Sequence, residues 1–137
     1  MELSDITTPA LAYLGDSVLE VCVRAYLVTE RGLSTSAHLN HASLDFVRAS
    51  AQSEAMGRLE SALTEEEAAV YRRGRNMGHG NVPKSASVAE YRRATGMEVL
   101  FGYLFLTGQK ERLDFLFRLG YGLAETDAAN NFNLENH

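Results

Sequence analysis

Apolar positions in the first third of the chain recur at helical spacing, with Leu11, Leu14, Val18, Val21 and Cys22 following a 3.6-residue period. Thr8 before Pro9 gives a start signal, because a hydroxyl caps the first amides and a proline in the first turn gives up only an N–H that has no partner there. The pattern predicts a first helix from Pro9 to about Thr29, ended by Gly32 and the Ser34-Thr35-Ser36 cluster. A second stripe, Leu39, Ala42, Phe46, Ala49 and Met56, predicts one helix from Leu39 to Leu59. Thr64-Glu65-Glu66-Glu67 has the form of a capping box and opens a third helix ending near Arg75. Ser87-Val88-Ala89-Glu90 repeats the box and opens a fourth, from Val88 to about Leu106, stopped by Gly108. A fifth begins near Lys110, with Leu113, Leu116, Phe117 and Leu123 apolar and Gly120 and Gly122 interrupting it. Between the third and fourth helices, Asn76 to Ser87 contains Gly78, Gly80 and Pro83 and little apolar content, which predicts an exposed loop. No stretch alternates with the period of a strand. The expected fold is all-α, a helical bundle, with one domain over residues 1–127 and a polar, asparagine-rich tail over 128–137.

Two acids break this apolar patterning. Asp16 lies two turns into the first helix among apolar residues, directly after Gly15, and no basic residue stands within a helical turn of it. Glu98 is the one charge in the run Met97 to Leu106, which is otherwise apolar all round, as expected of a helix buried on most sides. Glycine inside a helix costs about 1 kcal/mol relative to alanine, so Gly15, and Gly102 one turn after Glu98, point to close approach by a neighbour. A carboxylate in apolar surroundings needs a pairing cation, hydrogen bonds or a metal. Bringing the two helices together around a shared cation satisfies both acids, and oxygen ligands of this hardness suit Mg²⁺ or Mn²⁺. The other reading of either residue is a buried acid held by a core tyrosine or arginine.

Composition narrows the class. The chain of 137 residues, 45% apolar and 23% charged, is of ordinary globular make-up, without a transmembrane run or a leader, and is expected in the cytoplasm. Its single cysteine, Cys22, reads as a small core residue. The net charge of −5 argues against general nucleic-acid binding by the whole surface. Yet six of the 13 Lys and Arg, namely Arg72, Arg73, Arg75, Lys84, Arg92 and Arg93, fall between Tyr71 and Arg93, against one acid, Glu90. With Asn76, His79, Asn81 and Ser85 beside them, they form a patch suited to phosphate and ribose; complementing the helix dipole would explain Arg72 to Arg75 but not Lys84. His38 and His41 share a helix face without a Cys or acid at ligand spacing and read as surface residues. No phosphate-binding glycine motif is present.

Leu14-Gly15-Asp16-Ser17-Val18-Leu19 resembles the signature of the ribonuclease III catalytic domain, and Thr95-Gly96-Met97-Glu98-Val99-Leu100-Phe101-Gly102 resembles that family's second acidic helix. With Arg73-Gly74-Arg75-Asn76 and Val82-Pro83-Lys84 and no following double-stranded-RNA-binding domain, the chain is similar to the family's short branch, Mini-ribonuclease III, over about residues 9 to 108. The resemblance implies an all-α homodimer that hydrolyses double-stranded RNA with Mg²⁺, for which Mn²⁺ can substitute, and that trims the stem of the 23S ribosomal RNA precursor, where a large-subunit ribosomal protein is a further partner. It carries Asp16 and Glu98 over as the metal-binding, catalytic acids. Two further acids of the full-length pattern correspond to Ala12 and Thr95 here.

Glu20, four residues from Asp16, is the remaining candidate for an outer-shell group that orients water, and equally for an ion pair with Arg24. Arg73, Arg75, Asn76 and Lys84 are assigned to the RNA backbone. For the dimer, the first helix and the run Phe101 to Phe105 are the expected interface sources. Two other classes remain: a catalytically silent RNA-binding or assembly module of the same fold, and an all-α metal-dependent nucleotide pyrophosphohydrolase.

Overall fold

The computed structural model describes residues 2–77, 82, 84 and 86–124. Among these there are six α-helices, α1 (Thr8–Thr29), α2 (Ser36–Val47), α3 (Ala49–Leu59), α4 (Glu65–Arg75), α5 (Val88–Leu106) and α6 (Lys110–Tyr121), with short 3₁₀ turns at Leu3–Asp5 and Glu60–Ala62 and no strand. None is long and apolar enough to cross a membrane.

Local chemistry sets most boundaries. Thr64 and Glu67, and Ser87 and Glu90, exchange the reciprocal bonds of a capping box at the starts of α4 and α5. The cap of α1 is Thr7, whose hydroxyl accepts from the Ala10 amide at 3.2 Å, one residue earlier than the sequence suggested. Thr8 is thereby inside the first turn, with its hydroxyl free for another helix. Gly122 adopts φ 65° and closes α6, so Leu123 packs on the core from beyond the helix.

The expected single helix from Leu39 to Leu59 is two. Arg48 is extended (φ −63°, ψ 146°), and the Gln52 side chain donates to the freed Val47 carbonyl at 2.8 Å. At 100° per residue a straight helix would hold Phe46 and Met56 about 80° apart. The break lets Phe46 join Tyr26, Phe117 and Tyr121 in an aromatic cluster between α1 and α6. Met56 and Leu59 turn to the central core, α3 packing on α5 and α6.

Helix α5 is that centre, packed against α1, α3, α4 and α6. Met97, Val99, Leu100, Phe101 and Leu104 are fully buried. Of the run expected at a dimer interface, Phe101, Tyr103 and Leu104 therefore belong to this chain's own core, and Phe105 alone is exposed, with Leu106 after it. The reason is that α5 has neighbours on nearly every side, where an edge helix would have offered its aromatics outward.

Candidate active site

Asp16 and Glu98 meet where α1 crosses α5. The crossing is close because both helices lack a side chain at the contact: a Cβ on Gly15 would overlap the Glu98 carbonyl, and one on Gly102 would run into the Leu11 carbonyl. Backbone thus lies against backbone one residue from Asp16, and the two carboxyls come within hydrogen-bonding reach. The structure brings together residues 82 positions apart, as the paired glycines predicted.

Their surroundings differ. Glu98 is half-buried, whereas Asp16 is exposed, on the outer face of α1 that also carries Tyr13 and Ser17. Asp16 is therefore not enclosed by apolar neighbours as its flanking sequence suggested; those neighbours point inward while it points out. Burial pushes the Glu98 carboxyl up to about 8, and the bond to Asp16 and its like charge add to the shift. Among the described residues no Lys or Arg pairs with either acid, which removes the reading of a core arginine holding Glu98.

Two carboxylates facing each other without a counter-charge fit a small hard cation, which takes one or two carboxylates and completes its shell with water and phosphate oxygens. Among the described residues no group of three or more His, Cys, Asp or Glu assembles. Ala12 offers no donor, and Thr95 is buried with its hydroxyl donated to the Tyr91 carbonyl at 3.0 Å. Among the described residues, that leaves the pair as the carboxylates available to a cation at this crossing.

Glu20 is held by Arg24, Nε to carboxylate at 3.0 Å, in a pair whose arginine is 73% exposed. Cys22 is partly buried and its thiol is pushed up to about 11, chiefly by burial, which keeps it protonated and unreactive. His38 and His41 are both exposed on α2.

Of the basic residues, one is linked directly to the helix that carries Asp16. Arg73, exposed on the last turn of α4, donates to the Thr8 hydroxyl at 3.0 Å. Thr8 lies eight residues before Asp16, about 12 Å along the axis of α1, so one phosphate-binding candidate is tied to the helix that carries the acid. Arg75 is half-buried, its guanidinium 5.6 Å from the centre of the Tyr71 ring and its Nε donating to the Asn76 side chain at 3.3 Å. Asn76 and Lys84 are exposed. His79, Asn81 and Ser85 lie outside the described residues. Sequence reasoning missed the roles of Thr8 and Tyr71, since neither a helix-end threonine nor a core-spaced tyrosine announces a partner on another element.

The family model described as Ribonuclease III domain matches residues 9–109. A curated Mini-ribonuclease 3 from Symbiobacterium thermophilum is 52% identical over 104 residues, 75% of this chain and 78% of that protein. A Mini-ribonuclease 3 from Clostridium tetani is 36% identical over 136 residues, 99% of this chain and 89% of that protein. A crystal structure of a protein from Fusobacterium nucleatum superposes with a TM-score of 0.75 at 27% identity, covering 83% of this chain and 90% of that one.

Proposed function

The chain belongs to the ribonuclease III family, and on that premise we propose that it is a Mg²⁺-dependent endoribonuclease of double-stranded RNA with Asp16 and Glu98 as its catalytic, metal-holding acids. The observation that carries the site assignment is the uncompensated carboxyl pair at the α1–α5 crossing. Each acid contributes an oxygen and a negative charge, and the glycine contact fixes their separation. Mg²⁺ or Mn²⁺ bound there supplies Lewis acidity toward water and a phosphate oxygen. Water attacks phosphorus in line with the 3′ oxygen; the P–O3′ bond breaks, leaving a 5′-phosphate and a 3′-hydroxyl. Glu20 acts outside the ligand pair to orient that water, and its exposed pair with Arg24, of a kind worth only about 0.3–0.5 kcal/mol, does not hold it away.

Arg73, Arg75, Asn76 and Lys84 contact the backbone of the duplex. A-form RNA shows its 2′-hydroxyls in a shallow groove, so shape is read in place of base sequence. The protein works in the cytoplasm as a homodimer whose two acid pairs make staggered cuts, one in each strand. Support for the dimer comes from Tyr13, Val21 and Val28, exposed along α1, and from Phe105 and Leu106 at the end of α5. The natural substrate is the stem of the 23S ribosomal RNA precursor, with a large-subunit ribosomal protein as a further partner.

Incubation with Mg²⁺ and either that stem or nucleoside triphosphates tests the reading. Cleavage of both strands is expected, with triphosphates untouched. Binding without turnover would make the protein a silent module, and pyrophosphate release would make it a nucleotide pyrophosphohydrolase. Sedimentation showing a monomer that still cuts both strands would refute the dimer.

A further inference from the structure

Tyr71 is 3% exposed, yet the spacing that buries it also sets it one turn before Arg75 on the same face of α4. Its ring lies flush on α5 because Gly96 has no side chain: a Cβ there would come 2.6 Å from ring atom Cε1 and 2.7 Å from Cδ1. Gly74 tightens the same contact from α4, where a Cβ would come 2.8 Å from the Gly96 Cα and 2.7 Å from the Val99 side chain. The last turn of α4 is thus pressed on α5 at Gly96 and Val99, on a different face of the same helix from the Glu98 backbone that α1 meets at Gly15, so α5 is the rigid link between the two.

The Arg75 guanidinium rests over the Tyr71 ring, and only its Nε–H is taken up, by Asn76. Its two terminal NH₂ groups make no hydrogen bond among the described residues. A guanidinium held over a fixed ring, with its terminal donors unused among the described residues, is arranged for a phosphate. A solvated helix-end arginine would need neither the ring nor the glycine beneath it.

We propose that Tyr71, seated on Gly96, is a positioning residue that fixes the Arg75 guanidinium at a set distance from Glu98 for one phosphate of the RNA backbone. This rests on the assignment of Arg75 to RNA contact made above. Steps between phosphates along an A-form strand are regular, so a cation held at constant distance from the acid pair sets which phosphodiester lies over it.

The test is titration of a labelled stem RNA in EDTA with the full chain and with Arg75→Ala, Arg75→Lys, Tyr71→Phe, Tyr71→Leu and the double variant Tyr71→Leu/Arg75→Ala. Tyr71→Phe, which keeps the ring, should bind like wild type. Arg75→Lys, which keeps the charge but not the planar guanidinium, should bind roughly fivefold more weakly, as should Tyr71→Leu. The double variant should be no weaker than Arg75→Ala alone, because the ring acts only through the guanidinium. With Mg²⁺, KM should rise in Tyr71→Leu and Arg75→Lys, and the cut should spread to neighbouring phosphodiesters, whereas Tyr71→Phe should keep the wild-type cut position. Equal weakening by Tyr71→Leu with and without Arg75 would show an effect on the fold and overturn the proposal. Wild-type affinity of Arg75→Lys would overturn it even if Tyr71→Leu failed to fold. Wild-type affinity of Arg75→Ala would overturn it one step earlier, by removing Arg75 from the RNA face, and is told apart by Arg73→Ala and Lys84→Ala still weakening binding.

Discussion

Glu67 and Glu98 are both carboxylates drawn into a helical core, and the protein treats them in opposite ways. Glu67, at the start of α4, accepts from Nε and a terminal nitrogen of Arg112 at 2.8 Å each and from the Thr64 amide at 2.9 Å. The Arg112 guanidinium holds its carboxyl below the usual 4.5, against the opposing effect of burial. Glu98 has an acid for a neighbour and is pushed up to about 8. The first acid is complete within the fold. The second has no basic partner among the described residues, and the contrast separates an acid satisfied within the fold from one that the proposed function assigns to a cation.

The largest expected break in that contrast is in activity. Asp16→Asn and Glu98→Gln keep the volume of each side chain and remove a charge, so cleavage of a stem RNA should fall to background for each while the circular dichroism spectrum is unchanged. Glu67→Gln should cut the same stem at close to the wild-type rate under conditions where it is folded. Normal turnover by either site variant would place the chemistry elsewhere.

Stability should respond in the opposite sense. Arg112→Ala strands the buried Glu67 charge and also frees the Ala62 carbonyl, to which Arg112 donates at 2.7 Å. The cost in urea unfolding at pH 7 should be about 2 kcal/mol, below the ~3–5 typical of enclosed pairs because the Arg112 side chain is 29% exposed. Since the folded carboxyl of Glu67 lies below its ordinary value, its contribution is present above about pH 4.5 and is lost as pH falls through the folded value. The Arg112→Ala and wild-type stability curves should therefore converge in acid.

For Glu98 the dependence reverses. Its folded carboxyl lies above its ordinary value, so the contribution is full below about 4.5 and is lost as pH rises towards about 8. In EDTA at pH 8, Glu98→Gln should melt at a higher temperature than wild type, and the two should approach each other near pH 4.5. Mg²⁺ should raise the melting temperature of wild type and leave Glu98→Gln unmoved. A wild-type protein indifferent to Mg²⁺ by this measure would remove the cation from the pair.

Much of this was legible before the structure because the informative residues were local anomalies. A lone acid in an apolar helix, a glycine beside it and a second such pair 82 residues on define a crossing without any map of the fold, and the two capping boxes placed α4 and α5 correctly. What could not be read depended on neighbours. Nothing in Val47-Arg48-Ala49 breaks a helix by propensity; the break follows from Phe46 and Met56 facing different partners. Asp16 looked enclosed because its sequence neighbours are apolar, although on a helix those neighbours point away from it. Phe101 to Phe105 looked like an interface because a helix apolar all round can be covered by its own chain or by another, and periodicity does not distinguish the two.

The smallest effect concerns the basic residues. Arg73 reaches α1 through Thr8, whereas Lys84 stands exposed in the connection before α5, so their positions relative to the acid pair are set independently. If each neutralises one phosphate, Arg73→Ala and Lys84→Ala should each lower the slope of log affinity against log salt by about one. The loss should be the same for stems of different sequence, because a phosphate contact carries no base information. Thr8→Val should weaken binding less than Arg73→Ala, since it frees the guanidinium without removing its charge. Titration of two unrelated stems across a salt series measures all three variants together. A sequence-dependent loss would make these residues base readers, and an unchanged slope would put the duplex on another face of the protein.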